Sequence, residues 1–274
     1  MDVLQISKVE YWIGNGITRP LVSTDENGEK VVVKLNNNIE SNVVLVNEYI
    51  GYKLSEKLGL PVTKSGIGVI NEKTVIDQSV DGVEVDDVPL FSSENYGLCF
   101  YSTYIENATV ISSSKMVKKA RNYEELIPRL FLFDHLIYNK DRNKGNLLLT
   151  MGRNNQNVIL IDNSHAFKLG SLWNSYQFKI GIEEADYNDT TIMEENNYLY
   201  KILLDSMPLT SFHLYESIKE FRERLTPEDI KHIVDGVPTG LGISTQELEV
   251  LKEYLIYRLN NLESYADIIL NYKY

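Results

Sequence analysis

A chain of 274 residues, 43% of them hydrophobic, is long enough to bury a sizeable core as one large domain or as two lobes around a cleft. Its formal charge of −12 works against phosphate backbones and anionic bilayers, so neither nucleic acid nor membrane is an expected partner. The single cysteine, Cys99, excludes an internal disulfide framework; with no basic-then-apolar leader at the start, a reducing, cytoplasmic setting is expected. The most apolar stretch, Leu126 to Tyr138, is too short and too interrupted to span a bilayer. The densest basic segment, Lys115 to Arg121, reads as a solvated face.

The first third carries strand signals. Leu21 to Thr24 and Lys30 to Leu35 flank Asp25-Glu-Asn-Gly28, which predicts a hairpin. Gly66 to Ile70 and Thr74 to Gln78, around Asn71-Glu-Lys73, predict a second hairpin, and Leu98 to Ile105 a further strand. Between them, apolar residues at Val43, Val46, Ile50, Leu54 and Leu58 predict a helix over 40–58, stopped by Gly59 and Pro61. From about residue 112 the pattern turns helical. Tyr123 to Tyr138 is nearly all apolar and predicts a buried helix. Further helices are expected at Tyr198 to Asp205, Ser211 to Arg224, Pro227 to Val234 and Thr245 to Ala266. Thr226-Pro-Glu-Asp and Ser244-Thr-Gln-Glu are start signals for the last two. The expected fold class is α+β: a mainly antiparallel β lobe with one helix over residues 1–105, then a mainly α lobe over 106–274. A cleft between them would lie near residues 99–106.

The informative segment runs from Asn139-Lys-Asp-Arg-Asn-Lys-Gly-Asn-Leu-Leu-Leu-Thr to Val158-Ile-Leu-Ile-Asp-Asn-Ser-His-Ala-Phe. Two short apolar runs, Leu147 to Thr150 and Val158 to Ile161, joined by the turn-rich stretch at 151–157, predict an antiparallel hairpin. That hairpin would set Asn146 beside Asp162, with paired positions about 5 Å apart. An amide and a carboxylate oxygen at that separation suit a hard cation such as Mg2+. Asp141, five residues before Asn146, can face the same pocket, where a carboxylate accepts the proton of an attacking hydroxyl. Taken singly, Asp141 and Asp162 read as ordinary loop-capping residues. Their joint spacing is what points to a metal–phosphate centre.

Phosphate also calls for positive charge. Lys34 ends the apolar strand Val31-Val-Val and shares a face with Val32. A buried lysine needs an anionic partner, and Glu48 on the following helix is placed to be one. Read alone, Lys34 is a surface lysine and Glu48 a solvated helix residue. Near the start, Gly14-Asn-Gly-Ile-Thr-Arg-Pro20 offers Gly14, Gly16, Thr18 and Arg19 as nucleotide contacts, since glycines let backbone N–H groups approach phosphate. With only two glycines, a plain turn is an equal reading, as is a solvent-facing Arg19. Four scattered histidines form no His/Cys cluster, which argues against zinc. His165 falls close to Asp162, and His135 reads as a core residue.

These residues together resemble the HipA-like kinases, a compact bacterial branch of the protein-kinase-like superfold. The resemblance is carried by Gly16-Ile-Thr-Arg-Pro-Leu-Val, Val32-Val-Lys34, Asn47-Glu48 and Lys57-Leu-Gly-Leu-Pro-Val62. The strongest part is Phe133-Asp-His-Leu-Ile-Tyr-Asn-Lys-Asp-Arg-Asn-Lys-Gly-Asn-Leu-Leu with Leu160-Ile-Asp-Asn-Ser-His-Ala-Phe167. Leu225-Thr-Pro-Glu, Val237-Pro and Tyr257-Arg-Leu extend it toward the end. It implies a two-lobed kinase fold and Mg-ATP-dependent phosphoryl transfer to a protein serine or threonine. Lys34 would hold the phosphates, anchored by Glu48. Asp141 would be the catalytic base, Asn146 and Asp162 the metal ligands, and Phe100, Tyr101, Thr103 and Ile105 the hinge beside adenine. Two departures stand out: the usual Asp-Phe-Gly is Asp162-Asn-Ser, and no histidine precedes Asp141-Arg142. The Ile161-to-Phe167 run is also similar to type II phosphoinositide kinases. A lipid or metabolite acceptor, and a pseudokinase acting as a regulatory or toxin–antitoxin interaction module, are therefore the alternatives.

Overall fold

Strands rich in β-branched residues build the first part of the molecule, whose computed structural model describes residues 3–14, 16–152 and 156–273. In chain order these are β1 (Leu4–Trp12), β2 (Leu21–Asp25), β3 (Lys30–Lys34), α1 (Val43–Leu58), β4 (Ser65–Ile70), β5 (Val75–Ile76), β6 (Glu84–Val85), β7 (Val88–Pro89) and β8 (Gly97–Thr103). The β2–β3 turn closes as its residue types require: Asp25 accepts from the backbone N–H groups of Asn27 and Glu29, and Gly28 takes φ +82°. The sheet order is β2-β3-β8-β4-β1-β5, and β1 also pairs with β2, so five strands close into a barrel. Ile6, Val9, Leu21, Val31, Val33 and Cys99 fill it. Because Val31 and Val33 point inward, Val32 and Lys34 point out of the barrel.

The predicted second hairpin is not one. A turn at 71–74 does form, with the Thr74 N–H donating to Asn71 C=O. The chain then continues in the same direction, and β4 and β5 lie one after the other parallel to β1.

The rest comprises β9 (Ala108–Val110), α2 (Ser114–Val117), α3 (Tyr123–Leu136), β10 (Leu147–Thr150), β11 (Val158–Leu160), α4 (Ser175–Glu183), α5 (Thr191–Glu195), α6 (Asn197–Ser206), α7 (Ser211–Arg224), α8 (Pro227–Asp235), α9 (Thr245–Leu259) and α10 (Leu262–Asn271). β10 pairs with β11 on one edge and β9 on the other. The turn predicted between β10 and β11 falls partly on residues 153–155, outside the described residues. α3 is buried all round from Leu126 to Leu136, as its apolar sequence requires. Thr226 and Ser244 cap α8 and α9 with capping boxes completed by Asp229 and Glu247. The helix expected over 245–266 is two, broken at Asn260-Asn261.

α1 joins the two parts. It ends at Gly59, which takes φ +69° and donates to Glu56 C=O at 3.0 Å. Its apolar residues Val44, Ile50 and Leu54 belong to one continuous core with Phe131, Phe178 and Tyr254 of the helical part. Among the described residues no helix is long and apolar enough to cross a membrane.

Candidate active site

The outward-facing Lys34 meets three side chains at once. Its ammonium is paired with Glu48 of α1, lies 3.0 Å from Asp162 after β11, and donates to the Ser164 hydroxyl at 3.3 Å. Lys34 is 6% exposed and Glu48 1%. Burial opposes the lysine's charge, but the carboxylates of Asp162 and Glu48 outweigh it and hold its pKa above the usual value. Burial pushes Glu48 up, to about 7, with the ammonium offsetting only part of the effect. Burial also acts on Asp162, yet Lys34 and the Ser164 hydroxyl and N–H hold it well below the usual carboxylate range. Lys34 is thus held as an ammonium between the carboxylates of Glu48 and Asp162.

Asp162 sits in the left-handed region at φ +60°, a conformation that aspartate tolerates but that its surroundings must hold. They do so through Arg142, which is 1% exposed. Arg142 donates to the C=O groups of Ile161 (3.1 Å) and Asp162 (3.4 Å) and to Asn163 Oδ1 (3.2 Å). The guanidinium is neutralised by the fully buried Asp134 of α3 at 2.9 Å, which also accepts from Tyr200. On the other side, the Asn163 N–H donates to Glu48 at 2.9 Å. Asn47, one residue before Glu48, donates to the carbonyls of Ser164, Ala166 and Gly170 and accepts from Trp173. A Cβ on Gly51 would come within 2.6 Å of the Asn163 Cβ, so α1 has a glycine where the segment after Asp162 presses on it.

Asn146 and Asp141 approach from the α3–β10 loop. The ladder pairs Leu147 with Leu160, and the Ile161 N–H donates to Asn146 C=O at 3.0 Å. Asp162 therefore stands one residue beyond the partner of Asn146, a one-residue offset from the direct pairing expected. Asn146 donates its amide Nδ2 to Asp141 C=O at 2.8 Å, so its side-chain oxygen is the acceptor end, suited to a cation. An ionised carboxylate and an amide oxygen make a donor set that fits a hard cation. The Asp141 side chain is 49% exposed, and its Oδ2 lies 3.5 Å from His165 Nδ1.

Other expected contacts stand elsewhere. Thr18 is buried, and its C=O accepts from Asn38. Arg19 donates to the carbonyls of Val85 and Val88, and with Thr18, Leu35 and Leu90 it lines a cavity of about 330 Å3 that none of Lys34, Asp141 and Asp162 reaches. Gly14 and Gly16 shape the β1–β2 turn, at φ +78° and +99°. Phe100 packs on Tyr52 in the larger core and Tyr101 in the barrel, so neither side chain lies open to a cleft. Thr103 and Ile105 are half-buried where the strand ends. Sequence reasoning quoted Asp134, Arg142, Asn163 and Asn47 only within the resembling segments and gave none of them a role, because their contacts form only in the fold.

No curated protein matches the sequence. Among solved structures, the Helicobacter pylori proinflammatory kinase CtkA is similar over 100% of both chains, at a TM-score of 0.62 and 12% identity. The Golgi casein kinase with Mn/ADP bound is similar over 98% of this chain and 73% of its own, at 0.55 and 13%. Hydra Fam20 is similar over 98% and 87%, at 0.56 and 13%. These likenesses give the two-part, kinase-like fold. Residues 6–180, more than half of the chain, match the profile described as HipA-like kinase. The chain is accordingly a phosphotransferase, and it belongs to the HipA-like kinase family.

Proposed function

We propose that the protein transfers the γ-phosphate of Mg-ATP to a serine or threonine hydroxyl of a protein. The observation that carries this reading is Lys34, held between Glu48 of α1 and Asp162 after β11. That ammonium is a fixed positive charge with an ionised carboxylate beside it, suited to hold phosphates next to a divalent ion. Asp162 and Asn146 would hold Mg2+, which supplies charge neutralisation to the phosphates when bound. Asp141 is exposed enough to meet an acceptor hydroxyl and take its proton. The hinge would be the end of β8, at Thr103 to Ile105, with the lobe boundary at residues 105 and 106. The structural likeness to a kinase bound to Mn/ADP supports a nucleotide with a divalent cation. A cytoplasmic protein acceptor agrees with the acidic surface, which disfavours anionic membranes.

The test is transfer of labelled γ-phosphate from ATP into lysate proteins, followed by phosphoamino-acid analysis. Phosphoserine or phosphothreonine is expected, with Asp141→Asn losing about 10²–10⁴-fold in turnover, the usual range for a general base. Label appearing only in lipid or metabolite, or ATP bound without transfer, would overturn the reading.

A further inference from the structure

We propose that His165 is a positioning residue that ties the catalytic-loop carboxylate Asp141 to Glu40 of the β3–α1 loop, fixing Asp141 for the acceptor. The inference rests on Asp141 being the base proposed above, and it assigns that site a further residue. Two segments remote from it in the chain, carrying Asp141 and Glu40, converge on the one imidazole. Nδ1 lies 3.5 Å from Asp141 Oδ2 and 3.4 Å from the Ser164 hydroxyl. Nε2 lies 3.4 Å from Glu40 Oε2. Glu40 is itself held, accepting from the Ser171 hydroxyl at 3.0 Å, while Ser41 donates to Ser171 C=O at 3.2 Å. Gly170 closes the remaining side: a Cβ there would come within 3.3 Å of His165 Cδ2.

A ring with a carboxylate at each nitrogen donates to both only as the imidazolium. The hydrogen bond to Asp141 raises the His165 pKa more than burial lowers it, with Glu40 and Asp162 adding to the rise. The tie matters because Asp141 has little else to hold its carboxylate. Among the described residues its other side-chain contact is a 3.4 Å bond from Asn143, an exposed neighbour on the same loop. A base misplaced by about 1 Å costs on the order of 10²-fold in rate. The same imidazole also links the loop leading into α1 to the segment after Asp162.

Phosphoryl transfer and nucleotide binding are measured together for His165→Ala, His165→Asn and Glu40→Gln. His165→Ala is expected to lower kcat by about 10–10²-fold, with KM for ATP unchanged within about twofold. His165→Asn, whose amide nitrogen falls near the place of Nδ1, should recover most of that loss. In an Asp141→Asn background, His165→Ala should cost nothing further, since the group it aims is gone. Turnover of His165→Ala within twofold of the parent, or a full additional loss in the Asp141→Asn background, overturns the proposal. Should the parent chain transfer no phosphate, the proposed activity fails but the tie stays measurable. The NMR titration midpoint of His165 should then fall in both Asp141→Asn and Glu40→Gln, and an unmoved midpoint overturns the tie.

Discussion

Arg142 connects fold and chemistry at the level of one side chain. Its guanidinium is an uncompensated buried charge without Asp134, and Asp134 is one without Arg142. Removing one partner of such a pair costs about 3–5 kcal/mol, whereas replacing both by apolar groups costs far less. Arg142→Met should therefore lower unfolding free energy by about 3–5 kcal/mol in urea titration, and Asp134→Leu added to it should restore much of the loss. Turnover should not return in the double variant. The bonds from Arg142 to Ile161 C=O, Asp162 C=O and Asn163 hold the left-handed backbone of Asp162, and neither replacement remakes them. Recovery of activity together with stability would show that the guanidinium only neutralises Asp134. None of this was legible in the sequence. Asp141, Asn146 and Asp162 announce themselves by their spacing on either side of one hairpin, but the contacts among Asp134, Arg142, Asn163 and Tyr200 form only once α3 and α6 pack.

At the scale of elements, α1 is the part most shaped by the site. Two effects oppose each other at Gly51. Alanine in a helix interior gains about 1 kcal/mol over glycine. The added methyl, however, would sit 2.6 Å from the Cβ of Asn163, and overpacking a tight contact costs about 1–3 kcal/mol. Overpacking wins because Asn163 is held from both sides, by Glu48 and Arg142. Gly51→Ala should lower the melting temperature and reduce turnover together; a stabilised variant with full activity would show that the segment after Asp162 yields. The same scale shows where reading the sequence stops. β1 was invisible because its pairing with β2 shifts register twice, between Ile6 and Lys8 and between Val9 and Tyr11. Its buried residues Ile6 and Val9 fall three apart, which breaks the two-residue alternation of a strand. Missing β1 is also why 66–78 read as a hairpin, since the turn at 71–74 is real and only the partner strand was unknown. The break between α9 and α10 was hidden because Leu259 and Leu262 are both buried on either side of it, so the apolar pattern runs on across Asn260-Asn261.

Across the whole molecule, α1 makes the two parts mechanically one. Its apolar residues share a core with the C-terminal helices, while Glu48 binds Lys34 of the barrel and Asn47 binds the segment after Asp162. A Mg-nucleotide bound as proposed, between Lys34 on one side and Asp162 and Asn146 on the other, would load the barrel and the helical part together. Binding to the folded chain alone stabilises it by RT ln(1 + [L]/Kd), about 2.7 kcal/mol at a hundredfold excess over Kd. For a chain of this length that corresponds to a rise of about 5 °C in melting temperature. With Mg-ATP, one cooperative transition should move as a unit by about that amount, because both walls of the site take part. Without the divalent ion, phosphate charge would face the ionised Asp162 directly, so ATP with a chelator should give a much smaller shift. Asp162→Asn removes that repulsion along with a ligand: its shift should no longer depend on Mg2+, whatever its size. Calorimetry with and without Mg2+ on both chains decides the matter. A Mg2+-dependent shift that survives in Asp162→Asn would move the metal away from this carboxylate, and a transition that splits in two would mean that α1 does not bind the parts together.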